Sequence, residues 1–210
     1  MKLYFFPVAP NPTRVRLYLA EKRLAGCPIE LDEVVVSPIE GEQKSPEHLA
    51  RNPFGALPVL ELDDGGTLIE SLSIIEYLED LHPEPSLYGR DLRARAFARQ
   101  LERITDLGVL IPIGGVVHAT NSPLGRPPIP EVAQYFREKL MPRLDYLEGL
   151  LEDGRSFLAG ADPTVADCTL AAALQFGRFR ELTFIDDHPG LTRWDERYRE
   201  REPATSVLIC

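Results

Sequence analysis

Leu57-Pro58-Val59-Leu60 and Glu70-Ser71 are the stretches of this chain whose residue types and spacing could best do chemistry. A proline in an apolar, strand-like run cannot donate to a sheet ladder. It fits there if Pro58 is cis and opens an edge strand. The N–H and C=O of Leu57 then stay free to pair with an extended guest. Glu70-Ser71 stands just before a helical pattern, where unpaired backbone N–H groups gather and favour an anion. An acid beside those donors suits a group carrying both an ammonium and a carboxylate. Together the two segments ask for a small zwitterionic peptide, and glutathione has that chemistry. Each also has a structural reading: Pro58 opening an edge strand with no ligand, Ser71 capping a helix and Glu70 lying in a loop.

The elements that must position these residues follow from periodicity and punctuation. Residues 2–6 are an apolar, aromatic run and read as a buried strand. Asn11-Pro12 reads as a helix start, with Asn11 at the N-cap and Pro12 in the first helical position. Val15, Leu17, Leu19 and Leu24 supply its apolar face, and Gly26 ends it. Residues 29–36 are a second strand, and a short helix lies at 46–50 in a polar stretch. Residues 58–62 form a third strand, Asp64-Gly65-Gly66 a hairpin turn and 67–69 the returning strand. Apolar residues at 72, 74, 75, 78 and 81 mark a helix ending before His82-Pro83. The order βαβαββα implies a small α/β layer with a mixed sheet.

Beyond Pro83-Glu84-Pro85 the pattern becomes helical. Long helices are expected over 91–119, over 131–151 with a kink at Pro142, and over 164–180; a loop rich in proline spans 121–130. The expected division is an α/β unit at 1–83, a linker at 84–88 and an all-α helical bundle at 89–210. Thr164 to Asp167 resembles a capping box and reads as structural. His118, alone late in the first long helix, reads as a packed or surface residue.

Composition narrows the partners. With 44% hydrophobic residues the chain can build a real core. A formal charge of −10, spread along the chain, speaks against nucleic acid and anionic membrane surfaces. There is no secretory h-region near Met1 and no apolar run of membrane-spanning length. Cys27, Cys168 and Cys210 are odd in number, far apart and outside any C-x-x-C pair, which points to a reducing cytoplasm. No His cluster has metal-ligand spacing.

The order of motifs resembles the cytosolic glutathione transferase superfamily over nearly the whole chain. Asn52-Pro53-Phe54-Gly55-Ala56-Leu57-Pro58-Val59-Leu60 is similar to the family's N-P-x-G-x-V-P-x-L signature, Glu70-Ser71 to its Glu-Ser pair, and Asp162 to Asp167 to its C-terminal capping motif. The resemblance implies a thioredoxin-like N-terminal domain, a helical C-terminal domain and a homodimer. It implies that Leu57 and Pro58 hold the cysteinyl part of glutathione, and that Glu70 and Ser71 hold the γ-glutamyl group. Gln43 and Lys44 match a His-Lys pair that holds the glycyl carboxylate in phi-like members. Where a catalytic Ser or Cys would stand there is Ala9, where a Tyr would stand there is Phe5, and Ala56 replaces a polar residue. Ala9-Pro10-Asn11 is similar to the Thr-Pro-Asn of nu-class members, which implies that the Asn11 amide serves the sulfur; a plain capping role is the alternative. The expected function is a glutathione transferase acting on a small hydrophobic or disulfide/peroxide substrate. The alternatives are a glutathione-binding protein without turnover and a dimeric interaction module.

Overall fold

The computed structural model describes residues 1–210. A four-stranded sheet has the order β2-β1-β3-β4, with β1 at Lys2–Phe5, β2 at Asp32–Val35, β3 at Val59–Glu61 and β4 at Thr67–Ile69. β1 is parallel to β2 and antiparallel to β3, and β3 is antiparallel to β4. Helices α1 (Pro10–Leu24), α2 (Pro46–Arg51) and α3 (Ser71–Leu81) complete this part. The sheet is therefore mixed, as the element order requires.

β2 is shorter than the expected 29–36. It lies at the sheet edge, and its ladder matches the four residues of β1 in the register Lys2↔Asp32 to Phe5↔Val35. Ile29 and Val36 are buried, so they read as strand, but they flank the ladder. β3 is likewise shorter than the expected 58–62, since the ladder starts only after the proline.

The rest is helical: α4 (Leu92–Thr105), α5 (Ile111–Thr120), α6 (Pro130–Leu151), α7 (Val165–Phe179), α8 (Pro189–Arg199) and α9 (Glu202–Val207). The expected helix over 91–119 is continuous in backbone conformation but passes through a π-helical turn at Asp106–Leu110. Pro112 supplies a reason, because its ring and missing N–H disfavour an ordinary α-turn just before it. Gly115, one of a Gly-Gly pair, sits against α6. A Cβ there would stand 2.3 Å from the ring of Phe136, so the helices meet at this closeness only over glycine.

One buried core runs through both parts. α7 lies at its centre, with Ala171, Ala172 and Ala173 fully buried against α1 and α4. Asp167 organises the start of α7. It accepts from Thr164 N–H (2.8 Å), Thr164 Oγ (3.0 Å), Leu158 N–H (3.0 Å) and Trp194 Nε1 (2.9 Å). Lys22, fully buried, donates to Glu79 (3.4 Å) and to the carbonyls of His82 and Pro85, and so fastens the segment after α3 to α1. No helix is long and apolar enough to cross a membrane.

Candidate active site

Register brings the predicted segments to one end of the sheet. Val59 pairs with Tyr4 on one side and Ile69 on the other. Leu57-Pro58 entering β3, Glu70-Ser71 leaving β4 and the turn from β1 to α1 therefore all emerge there.

The Leu57–Pro58 peptide bond is cis. The loop before it closes on itself. Asn52 Nδ2 and His48 Nε2 both meet the Ala56 carbonyl, at 2.9 and 3.1 Å, while Asn52 Oδ1 accepts from Phe54 N–H at 3.0 Å. The Ala56 carbonyl is thus saturated, whereas the N–H and C=O of Leu57 have no partner in the chain. Gly55 takes φ +59°, and a Cβ on it would lie 3.1 Å from the Gln43 carbonyl. That closeness seats the 3₁₀ turn Glu42–Lys44 beside the loop. Gln43 Oε1 is buried with no hydrogen-bond partner, and exposed Lys44 has no ion-pair partner.

Two capping expectations are corrected. Ser71 is the first residue of α3 and Glu70 occupies the N-cap. Glu70 has φ +70°, strained for a residue with a Cβ, and its exposed carboxylate contacts no cation. The backbone N–H groups of Ser71, Leu72 and Ser73 stay unpaired at the helix start. Asn11 likewise is not a cap: α1 begins two residues earlier, with Ala9 at the N-cap and Pro10 first. Pro10 is as well suited to the first helical position as Pro12, so the proline signal alone admits two registers.

The side chains of Ser71 and Asn11 instead meet at Arg14. Arg14 is 3% exposed; its Nε donates to Ser71 Oγ at 2.8 Å and its Nη2 to Asn11 Oδ1 at 3.0 Å. Ser71 Oγ donates in turn to Asn11 Oδ1 at 3.1 Å. Arg14 Nη1 donates to Asp106 (2.8 Å) in the π-helical turn and to Glu102 (3.1 Å) in α4. Burial pushes the Glu102 carboxyl up to about 7, against the pull of Arg14. This junction was missed in the sequence, where Arg14 is one of many helical arginines and its acids lie far along the chain.

At the start of α1, Pro10 and Pro12 have no N–H and Thr13 N–H is bonded to Ala9 C=O at 3.0 Å. Asn11 N–H is the one free donor of that turn. Beside the residues that open α1 lies a cavity of about 130 Å³ lined by Phe6, Ala9 and Pro10, by Ile39 beyond β2, and by His118 and Phe176. His118 is the only titratable side chain on its wall. Its ring lies 5.6 Å from that of Phe176 and its Nδ1 is 3.1 Å from Ser122 Oγ. Burial, aided by the charge of Arg126, lowers its pKa, so it is neutral at neutral pH and able to accept a proton. Placing it opposite Ala9 needs the packed fold; its helical pattern carries no such signal.

The glutathione S-transferase N-terminal domain family matches residues 3–86 and the glutathione S-transferase C-terminal domain family matches residues 116–202. Glutathione S-transferase 2 of Saccharomyces cerevisiae is 31% identical over 216 residues, covering 99% of this chain and 89% of the relative. Among solved structures, Gtt2 from Saccharomyces cerevisiae superposes with a TM-score of 0.86 at 30% identity, covering 99% of this chain and 100% of the other. A glutathione S-transferase domain-containing protein from Marinobacter aquaeolei gives 0.85 at 32% identity, over 97% and 100%.

Proposed function

From the premise that this chain belongs to the cytosolic glutathione S-transferase superfamily, we propose that it binds glutathione at the end of the sheet where Leu57, Glu70 and Asn11 converge. The observation that carries the reading is the set of unsatisfied groups gathered there: the N–H and C=O of Leu57, three N–H groups at the start of α3, and the N–H of Asn11. Each matches one part of a zwitterionic thiol tripeptide. Leu57 pairs with the cysteinyl backbone. The N–H groups at Ser71 hold the γ-glutamyl carboxylate and Glu70 holds the ammonium. Lys44 and Gln43 take the glycyl end, where Gln43 Oε1 lacks a donor.

When bound, glutathione supplies the nucleophile, a thiolate whose sulfur forms the new bond as the leaving group departs with its electron pair. The residues of this chain prepare that sulfur. The N–H of Asn11 and its Nδ2 favour a thiolate over a thiol. His118, neutral and facing the same cavity, accepts the thiol proton. The apolar wall of Phe6, Ile39 and Phe176 receives a small hydrophobic, disulfide or peroxide substrate and excludes water. The test is an aryl-halide conjugation assay beside hydroxyethyl-disulfide reduction, each with and without glutathione. Turnover that needs glutathione supports the reading, and none in either assay leaves binding alone. That second reading is favoured by Ala9 and Phe5, which put no hydroxyl or thiol where the sulfur would lie.

The two-unit division with its linker at 84–88, cytoplasmic residence and a homodimer are part of the same proposal. For the dimer, exposed Glu76 and Asp80 on α3, and half-buried Arg95 and exposed Arg99 on α4, have no ion-pair partner within the chain. A two-fold axis would set the acids of one copy against the arginines of the other. Phe54, 77% exposed, supplies an apolar anchor. Sedimentation of Arg95→Glu/Arg99→Glu tests this, a monomer being expected.

A further inference from the structure

Resting on the glutathione reading above, we infer that Arg126 selects second substrates that join one ring-sized apolar body to an acidic substituent. A zwitterionic tripeptide brings two carboxylates and one ammonium, and the site described above answers them with the start of α3, Lys44 and Glu70. Arg126 is a further cation. It lies in the loop after α5, exposed, on the wall of a polar cleft it shares with Glu40, Gln43 and Lys44. No carboxylate of the chain lies within ion-pair distance of it.

Its position relative to the apolar cavity is the second observation. Pro38, Ile39, Pro123 and Leu124 line both the cleft and the cavity, so the two are adjoining compartments of one site. Arg126 lines the cleft together with Pro123 and Leu124, the residues that also stand beside His118 on the cavity wall, so it lies next to the junction. The cavity, about 130 Å³, has room for one aromatic ring, since a void of roughly 150 Å³ takes up benzene. A longer or fused body would project into the polar cleft. A ring-sized electrophile with a carboxylate on its outer edge would bury the ring against Phe6 and Phe176 and set the acid beside Arg126. The overall charge of the chain repels anions, so a local cation is needed for such a substrate to be preferred over its neutral analogue.

The test is calorimetric binding of two stable conjugates, S-benzylglutathione and S-(4-carboxybenzyl)glutathione, to the full chain and to Arg126→Gln. Arg126 is exposed in a loop and holds no other residue, so the variant keeps the fold. The expected result is that the native chain prefers the carboxylated conjugate by about fivefold, the scale of one partly exposed ion pair, with the preference shrinking as salt is raised. Arg126→Gln removes that preference and leaves S-benzylglutathione binding unchanged. Equal affinity of the native chain for both conjugates overturns the inference while leaving the glutathione site intact. An equal loss of both in Arg126→Gln also overturns it and assigns Arg126 to the glycyl carboxylate. If neither conjugate binds, the glutathione reading fails and the inference falls with it.

Discussion

Arg14 Nη2 lies 3.0 Å from Asn11 Oδ1, and this one contact fixes which way the Asn11 amide faces. A guanidinium can only donate, so the amide oxygen must be the atom turned toward it. Ser71 Oγ donates to the same oxygen, which leaves Asn11 Nδ2 without a partner in the chain. The helical part of the protein holds this arrangement through Asp106 and Glu102. In the proposed tripeptide site Arg14 is thus a positioning residue between the γ-glutamyl group and the sulfur.

Asn11→Ala is expected to raise the thiol pKa of bound glutathione by about one unit, or ~1.4 kcal/mol of lost thiolate stabilisation. Arg14→Lys keeps the charge but loses the planar fork, and is expected to produce a similar shift with Asn11 intact. Titration of the thiolate by its ultraviolet absorbance checks both. An unmoved pKa in Asn11→Ala would assign the sulfur to other donors.

Glu70 carries a strained backbone and an unpaired acid at once, so two substitutions should part stability from binding. Glu70→Gly relieves a positive φ that costs about 1–3 kcal/mol, against roughly 0.4–1 kcal/mol of added unfolded-state entropy, and is expected to raise stability while weakening glutathione binding. Glu70→Gln keeps the strain and is expected to weaken binding about tenfold, a loss of ~1.4 kcal/mol. Denaturant unfolding and calorimetry on the same samples measure the two effects.

Glu102 has a folded-state pKa of about 7, above its unfolded value. The native state therefore holds a proton that the unfolded chain has already released, and stability falls as pH rises from near 4.5 toward 7. Above 7 this contribution levels off. Glu102→Gln should flatten that fall, and thermal unfolding across this range compares the slopes.

Asp167 is buried and accepts four hydrogen bonds, so Asp167→Ala would leave Leu158 N–H, Thr164 N–H and Trp194 Nε1 unsatisfied. A loss of about 3 kcal/mol is expected, with glutathione affinity of the remaining folded protein unchanged. Urea unfolding measures the loss. A change below ~1 kcal/mol would mean that the start of α7 relaxes to make other bonds.

What could be read from the sequence was whatever depends on neighbours in the chain. The hairpin at Asp64-Gly65-Gly66, the helix body from residue 72 to 81 and the cis bond at Pro58 each follow from local turn, period and ring constraints. Thr164 and Asp167 also pair as their spacing suggests. The start of α1 lies two residues before the expected one and that of α3 one residue before, because an Asn or Ser beside an apolar run signals a cap equally well from inside the first turn. Arg14, Glu102 and Asp106 were invisible as a unit, since pairs separated by 88 and 92 positions leave no periodic trace. The helical pattern makes His118 no more than a packed or surface residue for the same reason: Ala9 and Phe176 reach it only through packing of the folded chain.

The most direct test of the account is calorimetric titration of reduced glutathione into the native chain and into Glu70→Gln. The account predicts saturable one-site binding to the native chain and about tenfold weaker binding to the variant. No heat at millimolar glutathione, or identical affinities for the two proteins, would contradict it.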